Sequence, residues 1–380
     1  MKRSVLITLV AILAGGAVLI GATRFVGGAT ETTDDAYVGG NQVQITPQVA
    51  GTVVALYADD TDFVRSGELL IALDDTDARI ALAQAKAALA RTVRQVSQLF
   101  DTVSELQAQV RLRRAQFEQA QEDYERRHGA QSGAVTVEDL AHSRLKLSAA
   151  RAAVDAAGRA LAVAQARTLD TTIPAHPLVL QAEARVRAAY LALSRTRIHS
   201  PVTGYVARRT AQIGDRVSPG SPLLTVVPLD QIWVDANFKE TELRNVRIGQ
   251  PARVVADFYG DHVTYDGRVV GLAAGTGASF ALVPPQNATG NWIKIVQRLP
   301  VRLTLDPRQV ARKPLRLGLS MQVSIDTRKR NGGVLALAPR SRSAYATSVY
   351  DQQLHGVDRL ITGIITANCG QCRYLHAQNR

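Results

Sequence analysis

The chain has 380 residues, a formal net charge of +12, two cysteines and only 5% aromatic residues. This length allows two or three domains, and the Ala-, Arg-, Gln- and Leu-rich middle favours long helices over one large mixed core. The basic residues are interleaved with Asp and Glu, and no DNA-binding motif or alternation of basic and aromatic residues occurs. The positive charge therefore does not indicate a nucleic-acid-binding protein.

The first segment predicts a membrane anchor. Residues 4–23 form an uncharged run of 20 residues, about 30 Å of helix, which matches a hydrocarbon core. Lys2 and Arg3 precede it, which predicts a cytoplasmic N-terminus with the rest of the chain outside the inner membrane. A cleaved signal peptide is the alternative, although the apolar run is long for one. No cysteine near the N-terminus is available for a lipid anchor, and no other stretch is apolar enough to cross a membrane.

A short β motif occurs twice. Residues 49–70 read VAGTVVALYADDTDFVRSGELL, and residues 202–224 read VTGYVARRTAQIGDRVSPGSPLL. Identities align without a gap at an offset of 153 positions, among them Gly51 with Gly204, Asp62 with Asp215, Val64 with Val217, and Gly67 with Gly220. We interpret the copies as two halves of one small β domain, residues 48–75 plus 198–228. Gly51 and Gly204 are expected to take a positive φ or to allow close backbone approach.

The segment between the copies predicts a helical hairpin, residues 76–197. Residues 76–127 contain no Pro or Gly and carry an apolar stripe at seven-residue spacing, which is typical of a coiled coil: Leu82, Leu89, Val96, Val103, Val110, Phe117 and Tyr124. After a break at 128–136, heptads run over 136–169 and, past two prolines, over 178–197. Two nearly equal arms, each about 78 Å long, favour an antiparallel hairpin over an ordinary bundle.

The rest of the chain predicts a second β domain and a tail. Residues 229–327 alternate apolar and polar residues between Gly-containing turns, which favours a β-barrel or sandwich. We expect residues 328–380 to form a poorly ordered tail without a role. Its Cys369 and Cys372, followed by His376, leave a local disulfide or a metal or redox site as alternatives.

No sequence motif indicates catalysis. The run GTGASF at 275–280 lacks the third glycine and the βαβ setting of a nucleotide loop. The His residues are scattered, and no paired carboxylate cluster is visible, so we do not expect an enzyme.

The paired half-motifs resemble lipoyl or biotinyl carrier domains. Such a domain carries its cofactor on a lysine at the junction of its halves. Here the junction reads LDDTDAR at 73–79 and TRIHSP at 196–201, without lysine, so we predict no cofactor.

A lipoyl-like domain split by a helical hairpin, behind one N-terminal anchor, resembles the membrane fusion or periplasmic adaptor (HlyD-like) family. The likeness extends to about residue 327 and is greatest to multidrug-export members. Six segments carry it: TDDAYVGGNQVQITPQVAG (33–51), DDTDFVRSGELL (59–70), PVTGYVARR (201–209), WVDANFKETEL (233–243), RIGQPA (247–252) and GTGASFALVPPQNATGNWIKIVQRLPVR (275–302).

The resemblance implies a multidomain α+β architecture. Residues 1–24 are the cytoplasmic tip and transmembrane helix, and residues 25–47 plus 229–327 are a β-barrel domain. The split lipoyl-like domain (48–75 plus 198–228) and the coiled-coil hairpin (76–197) complete it.

The resemblance also implies a role in tripartite multidrug efflux. Such adaptors are anchored in the inner membrane by one span, lie in the periplasm, and form homo-oligomers. They link an inner-membrane drug transporter, here of the major facilitator type, to an outer-membrane TolC-like channel. The alternatives are an adaptor of a type I protein-secretion system, which works with an ATP-driven exporter, and a membrane-anchored coiled-coil spacer.

The resemblance implies one site, and the sequence itself offers a second. Some related adaptors carry an Arg, a Leu and a Ser around the hairpin tip; here Arg126 or Arg127 and Thr136 match, and Ala130 stands where the Leu is expected. Capping of the two helices is the alternative role for these residues. A loop in the barrel domain either faces the transporter or its substrates or merely closes the barrel: Pro284, Pro285, Gln286, Asn287, Asn291 and Trp292.

Overall fold

The computed structural model describes residues 30–130, 135–280 and 295–370. These residues form a closed β-barrel, a small domain of two four-stranded sheets, and a long helical hairpin. The predicted multidomain α+β class is confirmed. The predicted membrane span at 4–23 lies outside the described residues, and within the described ranges no helix has the length and apolar character needed to cross a bilayer.

The barrel has six antiparallel strands in the order β1–β10–β13–β12–β11–β14. They are β1 (Thr30–Gly40), β10 (Ile232–Lys239), β11 (Pro251–Ala256), β12 (Thr264–Leu272), β13 (Arg298–Leu305) and β14 (Ser320–Asp326). Alternating side chains point inward and exclude water, and Phe238, Tyr265 and Met321 are fully buried. The short helix α4 (Pro307–Arg312) starts at the cap Asp306, whose carboxylate accepts the Arg308 N–H at 2.9 Å.

The lipoyl-like domain has two sheets built from both halves of the repeat, β2–β9–β7–β4 and β6–β5–β3–β8. The first half gives β2 (Val43–Ile45), β3 (Gly51–Leu56), β4 (Phe63–Val64) and β5 (Leu69–Leu73); the second gives β6 (Arg197–His199), β7 (Gly204–Arg209), β8 (Arg216–Val217) and β9 (Leu224–Val227). The predicted extent of the first barrel segment, residues 25–47, is wrong at its C-terminal end. Strand β2 pairs with β9 and therefore belongs to the lipoyl-like domain.

The halves exchange their shortest strands. Strand β4 of the first half pairs with β7 of the second, and β8 of the second pairs with β3 of the first. The hydrogen bonds recur at the offset of 153: Val53 N donates to Asp215 O and Val206 N to Asp62 O, both at 2.9 Å. Neither half completes its own sheet, so each requires the other.

The repeated glycines have two different roles. Gly67 and Gly220 take the positive φ values, +83° and +86°, at equivalent turns. Gly51 and Gly204 do not. A Cβ at Gly204 would collide with the carbonyl oxygen of Val227, so close backbone approach is the reason for glycine there.

The hairpin consists of α1 (Thr76–His128), α2 (Val137–Thr168) and α3 (Pro177–Ser194). The second arm breaks where Leu169 and Asp170 take φ values of +52° and +48°. It resumes at His176, whose Nδ1 accepts the Leu178 N–H at 3.3 Å, with Pro177 at the first helical position, where its missing N–H costs no hydrogen bond.

The apolar stripe of α1 is buried only near the base of the hairpin. Leu82, Leu89 and Val96 are buried, whereas further along α1 the stripe residues Val103, Val110, Phe117 and Tyr124 are half-buried. Two helices cover each other on one side only, so the distal arms leave part of the seam accessible.

The expectation of a poorly ordered tail is wrong for residues 357–368, which form a packed helix. Helix α5 (Val357–Asn368) packs on the base of the hairpin with α1 and α3. Val357, Ile361 and Ile365, spaced by four, form its buried face. Nη2 of Arg187 on α3 lies 3.0 Å from Oδ1 of Asp358, and the Tyr190 hydroxyl donates to His355 O at 2.8 Å.

We predict that Ile361→Ala loosens the hairpin base. Removal of a buried Ile side chain costs about 2–5 kcal/mol, because the transfer free energy is lost and a cavity remains. Hydrogen exchange of residues 82–100 is expected to become faster, whereas Thr362→Ala on the exposed face of the same helix leaves it unchanged. Equal protection in both variants would show that α5 does not support the hairpin.

Candidate functional site

The hairpin tip lies between the end of α1 and the start of α2. Helix α1 ends at His128, and the Gly129 N–H donates to Glu125 O at 2.9 Å. Helix α2 begins at Val137. Residues 131–134 lie outside the described residues, so the described tip consists of 126–130 and 135–137.

Arg126 and Arg127 share one carboxylate. Nη2 of Arg126 lies 3.7 Å and Nη2 of Arg127 lies 3.2 Å from the oxygens of Asp123. The Arg126 side chain is 76% exposed and that of Arg127 is 35% exposed. Both lie in the last turn, where a cation interacts favourably with the helix dipole. Exposed ion pairs of this kind are weak, so the Arg126 guanidinium is available to a partner at small cost.

Thr136 caps α2. Its hydroxyl oxygen accepts the Asp139 N–H at 3.0 Å, and the hydroxyl donates to Asp139 Oδ2 at 2.6 Å. This second bond holds the pKa of Asp139 below its ordinary value. The capping role expected for Thr136 is therefore present. A docking role for Arg126, Arg127, Ala130 and Thr136 stays a prediction.

Val137 is a further candidate contact residue at the tip, which the sequence patterns do not single out. Its side chain is 89% exposed at the first position of α2, beside the cap. One feature of the sequence points to it: an apolar residue directly follows a capping threonine but does not belong to the apolar residues at seven-residue spacing. It supplies apolar surface at the tip, where the exposed Ala130 offers only a methyl group.

The remaining predicted site residues belong to the barrel loop and to the C-terminal tail. The barrel loop residues Pro284, Pro285, Gln286, Asn287, Asn291 and Trp292 lie outside the described residues and stay predictions. Cys369 is buried after the end of α5 and is disulfide-bonded. Cys372 and His376 lie outside the described residues, so the pairing within CGQC stays a prediction.

Comparison with known proteins identifies the family. Residues 76–196 match the family model described as EMRA, alpha-helical hairpin domain. The chain is 49% identical over 341 residues to the multidrug export protein EmrA of Escherichia coli K12, which covers 90% of this chain and 87% of that protein. The chain belongs to the EmrA family of membrane fusion proteins.

The chain is also similar to a second curated relative and to a solved structure. The fatty acid resistance protein FarA of Neisseria gonorrhoeae is 50% identical over 297 residues, 78% of this chain and 75% of FarA. A solved structure of the periplasmic adaptor protein EmrA is 19% identical, with a TM-score of 0.39, over 79% of this chain and 99% of that one. The family resemblance expected from the sequence is confirmed by the 49% identity to the Escherichia coli protein.

We predict that Thr136→Ala weakens the start of α2 by about 1 kcal/mol, because the Asp139 N–H loses its acceptor. Hydrogen exchange at 137–140 should become faster. The carboxyl pKa of Asp139 should rise towards its ordinary value, so any stability from its ionised form, present above the unfolded pKa and lost as pH falls, should shrink.

Carboxyl NMR measures this pKa, and Thr136→Ser is the control, because serine keeps the hydroxyl. An unchanged Asp139 titration in Thr136→Ala would contradict the capping geometry.

Proposed function

We propose that this chain is the periplasmic adaptor of a tripartite multidrug efflux system. It links an inner-membrane drug transporter of the major facilitator type to an outer-membrane TolC-like channel. The observation that carries the proposal is the 49% identity to the multidrug export protein EmrA along 90% of the chain.

Chain geometry supports the orientation. The predicted span ends at residue 23, and β1 of the barrel begins at Thr30. The six intervening residues reach at most about 20 Å, so the barrel lies close to the inner membrane. Helix α1 has 53 residues and is about 80 Å long, so the hairpin can carry its tip well away from the β domains.

The tip fits a docking role. It joins an exposed guanidinium, Arg126, with the exposed side chains of Val137 and Ala130. Arginine beside apolar groups is a common composition of protein interfaces. In this proposal Arg126 and Arg127 face the channel, while Thr136 holds α2 in place.

The proposed adaptor works as a homo-oligomer. Several large apolar side chains are exposed along the hairpin arms outside the seam: Leu112 on α1, and Leu145 and Val163 on α2. In this proposal, neighbouring copies of the chain bury these side chains. The proposed activity is assembly and passage of substrate rather than catalysis.

The names of the relatives favour export of small molecules over protein secretion. The two reported above are named for multidrug export and for fatty acid resistance. A coiled-coil spacer without a transport role would leave drug tolerance unchanged when the chain is lost, which separates it from the adaptor.

We predict that Arg126→Asp combined with Arg127→Asp abolishes the drug resistance that the wild-type chain restores to a deletion strain. The charge reversal removes the cations from the tip and places carboxylates beside Asp123. The measurement is the minimum inhibitory concentration, with protein level and membrane insertion checked in parallel.

The matched control is Arg113→Asp with Arg114→Asp, an equal charge change on the exposed shaft of the same helix. Resistance should survive in this control. Unchanged resistance in the tip variant, or equal loss in both variants, would count against a docking role of the tip.

A further inference from the structure

A large cleft lies between the lipoyl-like domain and the barrel. Its volume is about 1160 Å³. One wall is the sheet face formed by β7 and β9. The opposite wall is formed by Phe258 and Tyr259, which follow β11, and by Pro314, Arg316 and Leu317, which precede β14. Binding sites for small molecules span about 300–1000 Å³, so the cleft can hold a ligand of drug size or larger.

Aromatic rings stand on both walls. Tyr205 on β7 packs against Phe63 with ring centroids 5.2 Å apart. Across the cleft, Phe258 meets Tyr259 edge to face at 4.9 Å, and the Tyr259 hydroxyl donates to Pro314 O at 2.7 Å. Tyr205 and Phe258 remain exposed. These rings, with Leu224 and Val227, offer an apolar surface.

The charge of the cleft is positive. Arg208 and Arg316 line it, and none of the described lining residues is acidic. Both arginines are exposed, and their guanidinium groups make no ion pair or side-chain hydrogen bond within residues 30–130, 135–280 and 295–370. Lys313 lies nearby, with its Nζ 5.7 Å from the centroid of the Tyr259 ring. A guanidinium without a partner is suited to a carboxylate, which it binds through charge-assisted hydrogen bonds.

The internal repeat supplies a comparison within the same domain. The equivalent face of the other half also forms a cleft, and five of its lining positions correspond to lining positions of the large cleft at the offset of 153: 54, 57, 69, 72 and 74 with 207, 210, 222, 225 and 227. That cleft measures about 330 Å³, and its lining includes Tyr57 and Arg197 as well as Asp74 and Asp75.

The two clefts place their aromatic rings and cations at different positions. The positions that match Tyr205 and Arg208 are Thr52 and Ala55. One half therefore folds without an aromatic ring or a cation at these places. The fold of the repeat does not itself require Tyr205 and Arg208, and the two clefts differ in charge, because Asp74 and Asp75 accompany Arg197 in the smaller one.

We propose that this cleft binds a single-tailed amphipathic carboxylate. Arg208 and Arg316 hold the head group, and the apolar tail lies along Tyr205, Phe258 and the floor of the sheet. As the capture of an export substrate, this inference rests on the proposed efflux function; the binding itself is a property of the chain alone.

Photolabelling of the full chain in lipid nanodiscs tests the site. The probe is laurate carrying a diazirine at the end of its tail, and mass spectrometry locates the label. We expect saturable labelling of the peptides that contain Tyr205 and Phe258. Unlabelled laurate should compete, whereas dodecylamine, with the same tail and the opposite charge, should compete at least about tenfold less well.

Variants assign the head-group contacts. Arg208→Glu with Arg316→Glu should lower cleft labelling about tenfold or more, because two cations become anions. Arg208→Lys with Arg316→Lys should retain most labelling, since the charge is kept. Arg216→Glu with Arg253→Glu, an equal charge change at exposed positions outside the cleft lining, should not alter it. Circular dichroism checks the fold of each variant.

Three results would overturn the proposal. They are labelling scattered over the surface of the wild-type chain, equal competition by dodecylamine, and equal labelling in the double Glu variant. Failure of the site is distinguishable from failure of the efflux function. Cleft labelling without restored drug resistance would reject only the efflux function, and resistance without cleft labelling would reject only this site.

Discussion

The exchange of strands between the two halves of the lipoyl-like domain constrains the rest of the structure. Strand β4 pairs with β7, and β8 pairs with β3, so segments 153 positions apart must meet. The chain between them has to leave the domain and return to the same place. A hairpin meets this requirement at any length, provided that its arms match. The first arm, 76–128, and the second, 137–194, are of similar length, and the break at Leu169 and Asp170 lies within the second. The distance of the tip from the β domains is therefore free to change while the domain stays closed.

The C-terminal segment provides a second connection between the barrel, the lipoyl-like domain and the hairpin. The Ile248 N–H donates to Gly333 O at 3.0 Å at the barrel, and the Thr347 hydroxyl donates to Pro201 O at 2.8 Å at the lipoyl-like domain. Helix α5 then packs on the hairpin base, where Ile361 and Ile365 are buried. One segment thus contacts all three domains in turn. It turns the base of the hairpin into a three-helix unit, while the distal arms remain two-stranded. This division suits a rod whose base is fixed and whose tip engages a partner.

Local periodicity explains which features could be predicted from the sequence. The heptads, the glycine pairs of the repeat and the cap at Thr136 each depend on residues close in sequence, so the hairpin and the split domain follow from pattern. Helix α5 has an equally simple pattern, Val357, Ile361 and Ile365, but three apolar residues in a short segment do not distinguish a packed helix from a poorly ordered tail. The position of β2 in the lipoyl-like domain depends on its pairing with β9, about 180 residues away, which no local sequence pattern indicates.

The cleft could not be predicted for the same reason. Its walls come from residues near 205, 258 and 316, and only the folded chain brings them together.

Photo-crosslinking from the hairpin tip in living cells tests the adaptor role most directly. A photoreactive residue at Ala130, which is exposed, would be activated in cells, and the product identified by mass spectrometry. The same residue at Arg114 on the shaft is the control. The account predicts a crosslink from Ala130 to an outer-membrane TolC-like channel that is absent from position 114. Crosslinks from Ala130 only to other copies of the chain or to inner-membrane proteins, with the tip accessible to a soluble thiol reagent when it carries a cysteine, would contradict it.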